Sequence, residues 1–343
     1  MSMINISMNS NTEKKKIHHV PFFLLPAGKD YLWGGTRLRD DFSKNFNLDS
    51  LAETWECSTH PDGQSIVCSG VFTGQLLSDV LKRYPELAGT HPKMNNGLPV
   101  LVKFIDAKSD LSVQVHPSDD FAALYENGSW GKTEMWYIVE ASKNAELVYG
   151  FRHDMDRNSV LKSLQEENLE KFLQKVPVKK GDIFFIPSGQ IHAICAGCLV
   201  AEVQESSNLT YRLYDYNRVD RNGNKRELHV EKALSVANLN GSIAPRQPMK
   251  VIRFRRGAMI ELLCRCKYFQ VEKITLDTQR CRELAWFQTG SNSFHVLLCL
   301  EGCGCIRWDG GEQDFFRGDC IFVPAESVKF SLHGKAELLC VSC

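Results

Sequence analysis

The 343-residue chain has no surplus of charge of either sign: 41 Lys and Arg face 41 Asp and Glu. That leaves no large basic field to hold nucleic acid and no strong acidic one to hold a basic partner. Long hydrophobic runs are missing too, none approaching the roughly 18 residues of a membrane span. The opening stretch, Met1-Ser-Met-Ile-Asn-Ile-Ser-Met-Asn-Ser10, lacks a basic region followed by an apolar one and does not read as a secretion signal. Cysteine is not scarce, at thirteen residues, but zinc-knuckle spacing is. Cys264-x-Cys266 and Cys303-x-Cys305 leave a single residue between the thiols, where a knuckle leaves about two to four. Cys299, Cys320 and Cys340 sit inside apolar runs and read as small buried hydrophobes of a reducing compartment rather than as a disulfide framework. The expectation is a cytoplasmic protein with neither a nucleic-acid nor a membrane partner.

What is present is a succession of short strands. Runs rich in β-branched and aromatic residues at 99–105, 111–116, 134–140, 146–151, 183–187, 198–204 and 210–216 are separated by turn residues. Three helices interrupt them. Thr73 through Tyr84 places Leu76, Leu77, Val80, Leu81 and Tyr84 on one face, with Thr73 able to cap and Pro85 to stop it. Ser118 through Tyr125 starts with acidic residues, which suit a helix N-terminus. Residues 157 to 174 are a third, less periodic stretch. Residues 1–19 are polar, contain Lys14-Lys-Lys16, and are expected to form a disordered tail.

Four polar residues stand out against these strands. In Leu111-Ser-Val-Gln-Val-His-Pro117 alternation puts Leu111, Val113 and Val115 on one face and Ser112, Gln114 and His116 on the other. Three polar groups in a row need water, one another or an ion. Glu134 opens the strand-like run Glu-Met-Trp-Tyr-Ile-Val. His192 follows the strand Ile183-Phe-Phe-Ile, ended by Pro187 and a Ser188-Gly189 turn. Imidazole, carboxylate and amide oxygen without thiolate make an N/O set that suits Zn²⁺, or else Mn²⁺, Co²⁺ or Fe²⁺, and leave room for water or a substrate oxygen.

Gly181-x5-Pro187-x-Gly189-x2-His192 resembles the second motif of the cupin barrels, and Gln114-x-His116 followed by Glu134 sits where cupins carry His-x-His and Glu. Gln-x-His-Pro in place of His-x-His resembles the type I phosphomannose isomerases. Tyr31-Leu-Trp-Gly-Gly35, Glu53-Thr-Trp-Glu56, Leu98-Pro-Val-Leu-Val-Lys103 and Tyr211-Arg-Leu-Tyr-Asp-Tyr216 agree in the expected order, over residues 20 to about 235, and the short bacterial form is the nearest in pattern. Only about 60 residues separate Glu134 from His192, so the large helical insertion of longer enzymes is missing and the walls of the substrate cleft are not fixed by the resemblance.

The resemblance implies a mainly β fold of two jelly-roll (cupin) barrels with a few helices packed on the first. After a linker-like stretch near Asn240 to Pro248, Gly318-Asp-Cys-Ile-Phe-Val-Pro324 repeats the Gly-x5-Pro form of Gly181 to Pro187. His295 to Glu301 can be laid on Glu134 to Glu140, which suggests a second copy of one unit. The position five after its proline is Lys329 rather than His, and a charged ammonium cannot ligate. The expected division is a tail at 1–19, a catalytic cupin domain at 20–245 and a cupin-like barrel without a metal site at 246–343.

By the same resemblance the chain would interconvert mannose 6-phosphate and fructose 6-phosphate through a cis-enediol. One Zn²⁺ per chain would sit on Gln114, His116, Glu134 and His192, with a phosphorylated hexose as partner and a monomer expected. Arg212, a charged residue on an otherwise aromatic and β-branched strand, would be the catalytic arginine. Lys132, two residues before Glu134, would share the cavity. Lys103, inside the apolar run Pro99-Val-Leu-Val-Lys-Phe-Ile, is costly unless paired, and with Ser112 would contact the phosphate. The proton carrier between C1 and C2 stays open among Lys132, His192 and a water on the metal. Two other classes compete: a sugar-binding cupin regulator without turnover, which loss of Arg212 or Lys132 would have signalled, and an iron-dependent cupin oxygenase, disfavoured by Gln114 where His-x-His is usual.

Overall fold

A computed structural model describes residues 19–343 except 95–96, 220–222, 244, 246, 249 and 282, and the backbone only of residue 281. The expected tail, apart from His19, lies outside the described residues. The fold is mainly antiparallel β, in sheets of six, five and ten strands. The six-stranded sheet runs Ile183–Ile186, Glu134–Ala141, Cys198–Glu205, Val100–Asp106, Glu53–Cys57, Ala27–Lys29. The five-stranded sheet runs Tyr211–Tyr214, Val113–Val115, His192–Ile194, Glu146–Phe151, Leu173–Pro177.

Alternation along the central strands decides what each face does. All seven residues of Val100–Asp106 are buried, so both faces are covered. Val100, Val102 and Phe104, with Met135, Tyr137, Val139, Leu199, Ala201 and Val203, pack into a core shared with Leu263, Val271, Phe294, Val296, Leu298 and Leu339 of the C-terminal sheet. Ile105, Trp136, Ile138 and Val200 face the other way, into the space between the first two sheets. The five-stranded sheet turns Val113, Val115, Ala193, Tyr211 and Leu213 outward, under Val160, Ala233 and Leu234 of two helices. Its remaining alternate positions, Gln114, His192 and Arg212, therefore point toward the six-stranded sheet.

The internal repeat is visible in the strand register. Glu134 lies opposite Ile186, and His295, the residue laid on Glu134, lies opposite Val323, the residue laid on Ile186. Lys329, in place of the second imidazole, stacks its ammonium 4.7 Å over the Trp286 ring. The long strands His295–Trp308 and Phe330–Ser342 pair along most of their length. A bulge falls between Cys299 and Glu301, and just past it Gly302 (φ +80) leaves no room for a Cβ, which would meet the Lys335 carbonyl at 2.1 Å. The chain's beginning joins this second copy: Phe22–Leu25 pairs with Cys320–Val323, Phe22 stacks on Phe322 at 5.1 Å, and His19 Nδ1 donates to the Ala325 carbonyl.

The helices depart from expectation where glycine intervenes. The helix expected over Thr73–Tyr84 spans Leu77–Arg83, with Leu76 before it. Thr73 does not cap it: its hydroxyl donates to the Gly70 carbonyl, and Gly74 at φ +85 breaks the path. Ser118 does cap Asp119–Tyr125, accepting from Phe121 N–H. The stretch 157–174 divides into a helix at Arg157–Gln165, capped by Asp156, a short 3₁₀ turn at Leu169–Lys171 and the start of the strand Leu173–Pro177. Glu167 at φ 52 ends the helical path.

Candidate metal centre and active-site cavity

Strand pairing carries the polar residues to one place. Gln114 lies opposite His192 on one side and Arg212 on the other, so these three side chains share a face of the five-stranded sheet. Across the gap, Glu134 lies opposite Gln204, and Trp136 and Lys103 both lie opposite Glu202. His116 Nε2 is 3.5 Å from Glu134 Oε2, and His192 Nε2 is 3.2 Å from Glu134 Oε1. Ligand atoms of the three residues lie within 4.8 Å of one another, and all three residues are buried. Gln114 Nε2 is 3.4 Å from His192 Nε2; turning that amide over presents Oε1 to the same point.

The protonation pattern fits a cation among these groups. His116 Nδ1 is 2.8 Å from the Leu209 carbonyl and His192 Nδ1 is 2.8 Å from the Gln190 carbonyl. A carbonyl only accepts, so both Nδ1 atoms carry hydrogen and both Nε2 lone pairs face Glu134. Burial pushes His192 down to about 4, and burial, with Lys132 and His192 adding to it, pushes His116 well below the usual imidazole range. Both rings are therefore neutral near pH 7. Apart from Lys132 beside Oε2, neither oxygen of Glu134 has a hydrogen-bond partner. Burial and then Glu202 raise its pKa. Lone pairs turned on a buried carboxylate repel it, and a bound cation reverses the sign of that interaction. Among the described residues no other group of His, Cys, Asp and Glu comes together this way.

Lys132 Nζ is 2.9 Å from Glu134 Oε2 and 3.1 Å from His116 Nε2, at the edge of the ligand group. The adjoining cavity, about 270 Å³, is lined by Tyr31, Lys103, Gln114, Lys132, Glu202 and Arg212 among others, and Ser112 borders it. Arg212 Nη1 donates to the Glu227 carbonyl at 2.7 Å, and its buried Nε has no partner. All eight residues expected at the site thus line this cavity or the ligand group beside it.

Lys103 has no acidic residue on its own strand before Asp106, so it needs an anion either from the substrate's phosphate or from another strand. Its Nζ lies 2.9 Å from Glu202 and 3.4 Å from Glu53, both on neighbouring strands. Burial alone would lower its pKa, but Glu202 and Glu53 outweigh burial and raise it. Breaking a buried pair of this kind costs about 3–5 kcal/mol because the partner charges stay behind. Lys103→Met should therefore lower the melting temperature by roughly ten degrees, and weaken any turnover whether or not the sugar carries a phosphate. A normal melt with KM raised for the phosphorylated sugar alone would return Lys103 to the phosphate.

Sequence reasoning missed Glu202. The signal was there: over residues 198–204 the polar residues Glu202 and Gln204 are two apart in an otherwise apolar run, so they share a face. Trp136 Nε1 donates to Glu202 at 2.7 Å. Burial pushes Glu202 up, yet Lys103 and Lys132 outweigh it and hold the carboxyl below the usual range. Glu53, which accepts from Trp55 Nε1 at 2.7 Å, and Arg226, which also lines the cavity, were missed as well.

Comparison with known proteins agrees with the geometry. Residues 22–147 match the phosphomannose isomerase type I catalytic domain, and residues 259–343 match the mannose-6-phosphate isomerase cupin domain. The chain is 39% identical to the mannose-6-phosphate isomerase of Streptococcus mutans, over 93% of this chain and 97% of that one. It is 37% identical to mannose-6-phosphate isomerase ManA of Bacillus subtilis, over 93% and 98%. The crystal structure of the mannose 6-phosphate isomerase from Bacillus subtilis superposes with a TM-score of 0.86 at 33% identity, covering 94% of this chain and 99% of that one. A mannose 6-phosphate isomerase solved with zinc and yttrium bound shares the fold at a TM-score of 0.71 and 14% identity, covering 94% and 98%. Motif order, strand register and these matches agree, and the chain belongs to the type I phosphomannose isomerase family.

Proposed function

We propose that the chain is a metal-dependent aldose–ketose isomerase that interconverts mannose 6-phosphate and fructose 6-phosphate through a cis-enediol. The observation that carries the metal is the pair of neutral imidazoles turned, with Gln114, on a buried carboxylate whose close cation is Lys132 at the edge of the group. Gln114, His116, Glu134 and His192 would hold one divalent ion per chain. The N/O donor set favours zinc, as does the zinc bound by the fold relative. When bound, the ion supplies a Lewis acid for the sugar's carbonyl oxygen. We assign the site to residues 20–245 and treat 246–343 as a copy without metal, since Lys329 replaces the second imidazole.

The chain's own residues divide the remaining work. Arg212, opposite Gln114, faces the oxygen that becomes negative as the proton leaves C2, and its unspent Nε is a donor for it. Lys132 adds a second cation beside the ligand group. Glu202, kept ionised by the two lysines, is the carboxylate we assign to move the proton between C2 and C1. Trp33, Trp136 and Ile194 wall the cavity and limit water at the reacting carbons.

The test is isomerisation of mannose 6-phosphate in D₂O, carried through many reversible turnovers. Deuterium at C1 of the fructose 6-phosphate supports proton transfer through an enediol. Product formed with no deuterium at C1 would indicate a hydride shift, and absence of product would remove the isomerase reading altogether.

A further inference from the structure

We propose that Arg226, gripped by Asp215, is the phosphate anchor of the cavity and the residue that makes it selective for a phosphorylated hexose. This rests on the isomerase reading above.

The argument is one of unbalanced charge. At one end of the cavity Lys103 is neutralised by Glu202 and Glu53, and Lys132 by Glu134. A phosphate dianion placed there would meet three carboxylates. Around Arg226 the balance is reversed. Arg212 and Arg226 line the cavity, and Arg218 shares a carboxylate with Arg226. Their carboxylate is Asp215, which accepts from Arg218 Nη2 at 2.5 Å and from Arg226 Nη2 and Nε at 2.5 and 2.8 Å. The other acid nearby, Glu227, is 84% exposed. Burial raises Asp215, but Arg226 and Arg218 outweigh it and hold it below the usual range; Arg212 is lowered by burial and then by repulsion from Arg226. An anion beside Arg226 would offset the excess positive charge there.

The donors are also available. Asp215 engages two of the three nitrogens of Arg226, and Nη1 has no partner among the described residues. The fork is thus fixed with one edge unspent, which lowers the entropy cost of binding an anion. Tyr31 lines the same cavity, and burial and then Glu53 push its phenol up to about 12. It keeps its proton and can donate as well. Position agrees. Arg212 lies on the edge strand, directly opposite the ligand Gln114, while Arg226 follows in the loop between that strand and the helix Val230–Val236. A sugar with C1 and C2 at the metal would extend its sixth carbon away from the ligands, toward Arg226.

Steady-state kinetics of the zinc-loaded full chain, with inorganic phosphate as a competitive inhibitor, test this. A hydrogen-bonded charge pair is worth about ten- to a hundredfold in affinity. Arg226→Gln should raise both the KM for mannose 6-phosphate and the Ki for phosphate by that factor, with a much smaller change in kcat. Arg226→Lys should recover part of the loss, and Asp215→Asn should shift both constants the same way by less. If Arg226→Gln does not fold, the other two variants decide by the same two constants. Unchanged KM and Ki in folded variants would overturn the proposal. A wild-type chain with no turnover of mannose 6-phosphate would instead sink the isomerase reading on which it rests.

Discussion

Arg212→Ala is expected to purify with its fold and metal content intact and to lose about a hundredfold or more in kcat on mannose 6-phosphate. The side chain stands opposite Gln114 across one strand pair, so its charge lies beside the ligand group without joining it. Its ties to the protein are modest: Nη1 bonds to a backbone carbonyl and the buried Nε has no partner. Removing it therefore leaves no buried carboxylate exposed as an orphan and relieves a repulsion with Arg226. The loss should fall on the transition state, where negative charge develops, at on the order of 3 kcal/mol. A purified variant with near-normal kcat/KM would show that Arg212 does not face the reacting oxygen.

His192→Ala should have the opposite signature, a folded chain that no longer retains metal. A four-ligand zinc site binds with an apparent free energy on the order of 12 kcal/mol, so one ligand is worth roughly 3 kcal/mol, or about a hundredfold in Kd. The ring also packs edge-on to Trp136 at 5.3 Å and donates from Nδ1 to the Gln190 carbonyl. Alanine thus leaves a small void and one unpaired carbonyl as well as a missing ligand. Elemental analysis after gel filtration, beside a circular dichroism spectrum, reads the result. A variant that keeps a full equivalent of metal would remove His192 from the ligand set.

The sequence carried the ligand residues because each was a local anomaly. Gln114 and His116 break the apolar pattern of one strand, and Glu134 and His192 open strands with turn residues before them. Strands fell within a residue or two of their observed bounds where the apolar run was clear, as at Val100–Asp106. What stayed hidden depended on partners distant in the chain. Lys103 looked unpaired because Glu202 lies about a hundred residues away on the next strand. Arg226 looks like an ordinary loop charge until the fold sets it on the cavity wall, held there by Asp215. The pairing of Phe22–Leu25 with the C-terminal sheet is of the same kind, since nothing local to the strand names its neighbour. Helix 73–84 was misread for another reason: periodicity was satisfied, but Gly70 and Gly74 adopt positive φ and the path turns before Leu77.

The central claim is that turnover depends on one divalent ion held by Gln114, His116, Glu134 and His192. It is tested by adding zinc in small steps to metal-stripped protein while following isomerisation of mannose 6-phosphate. The rate should rise from near zero in proportion to added zinc and break sharply at one equivalent per chain. Full activity before any metal is added, or a break at two equivalents, would contradict the account.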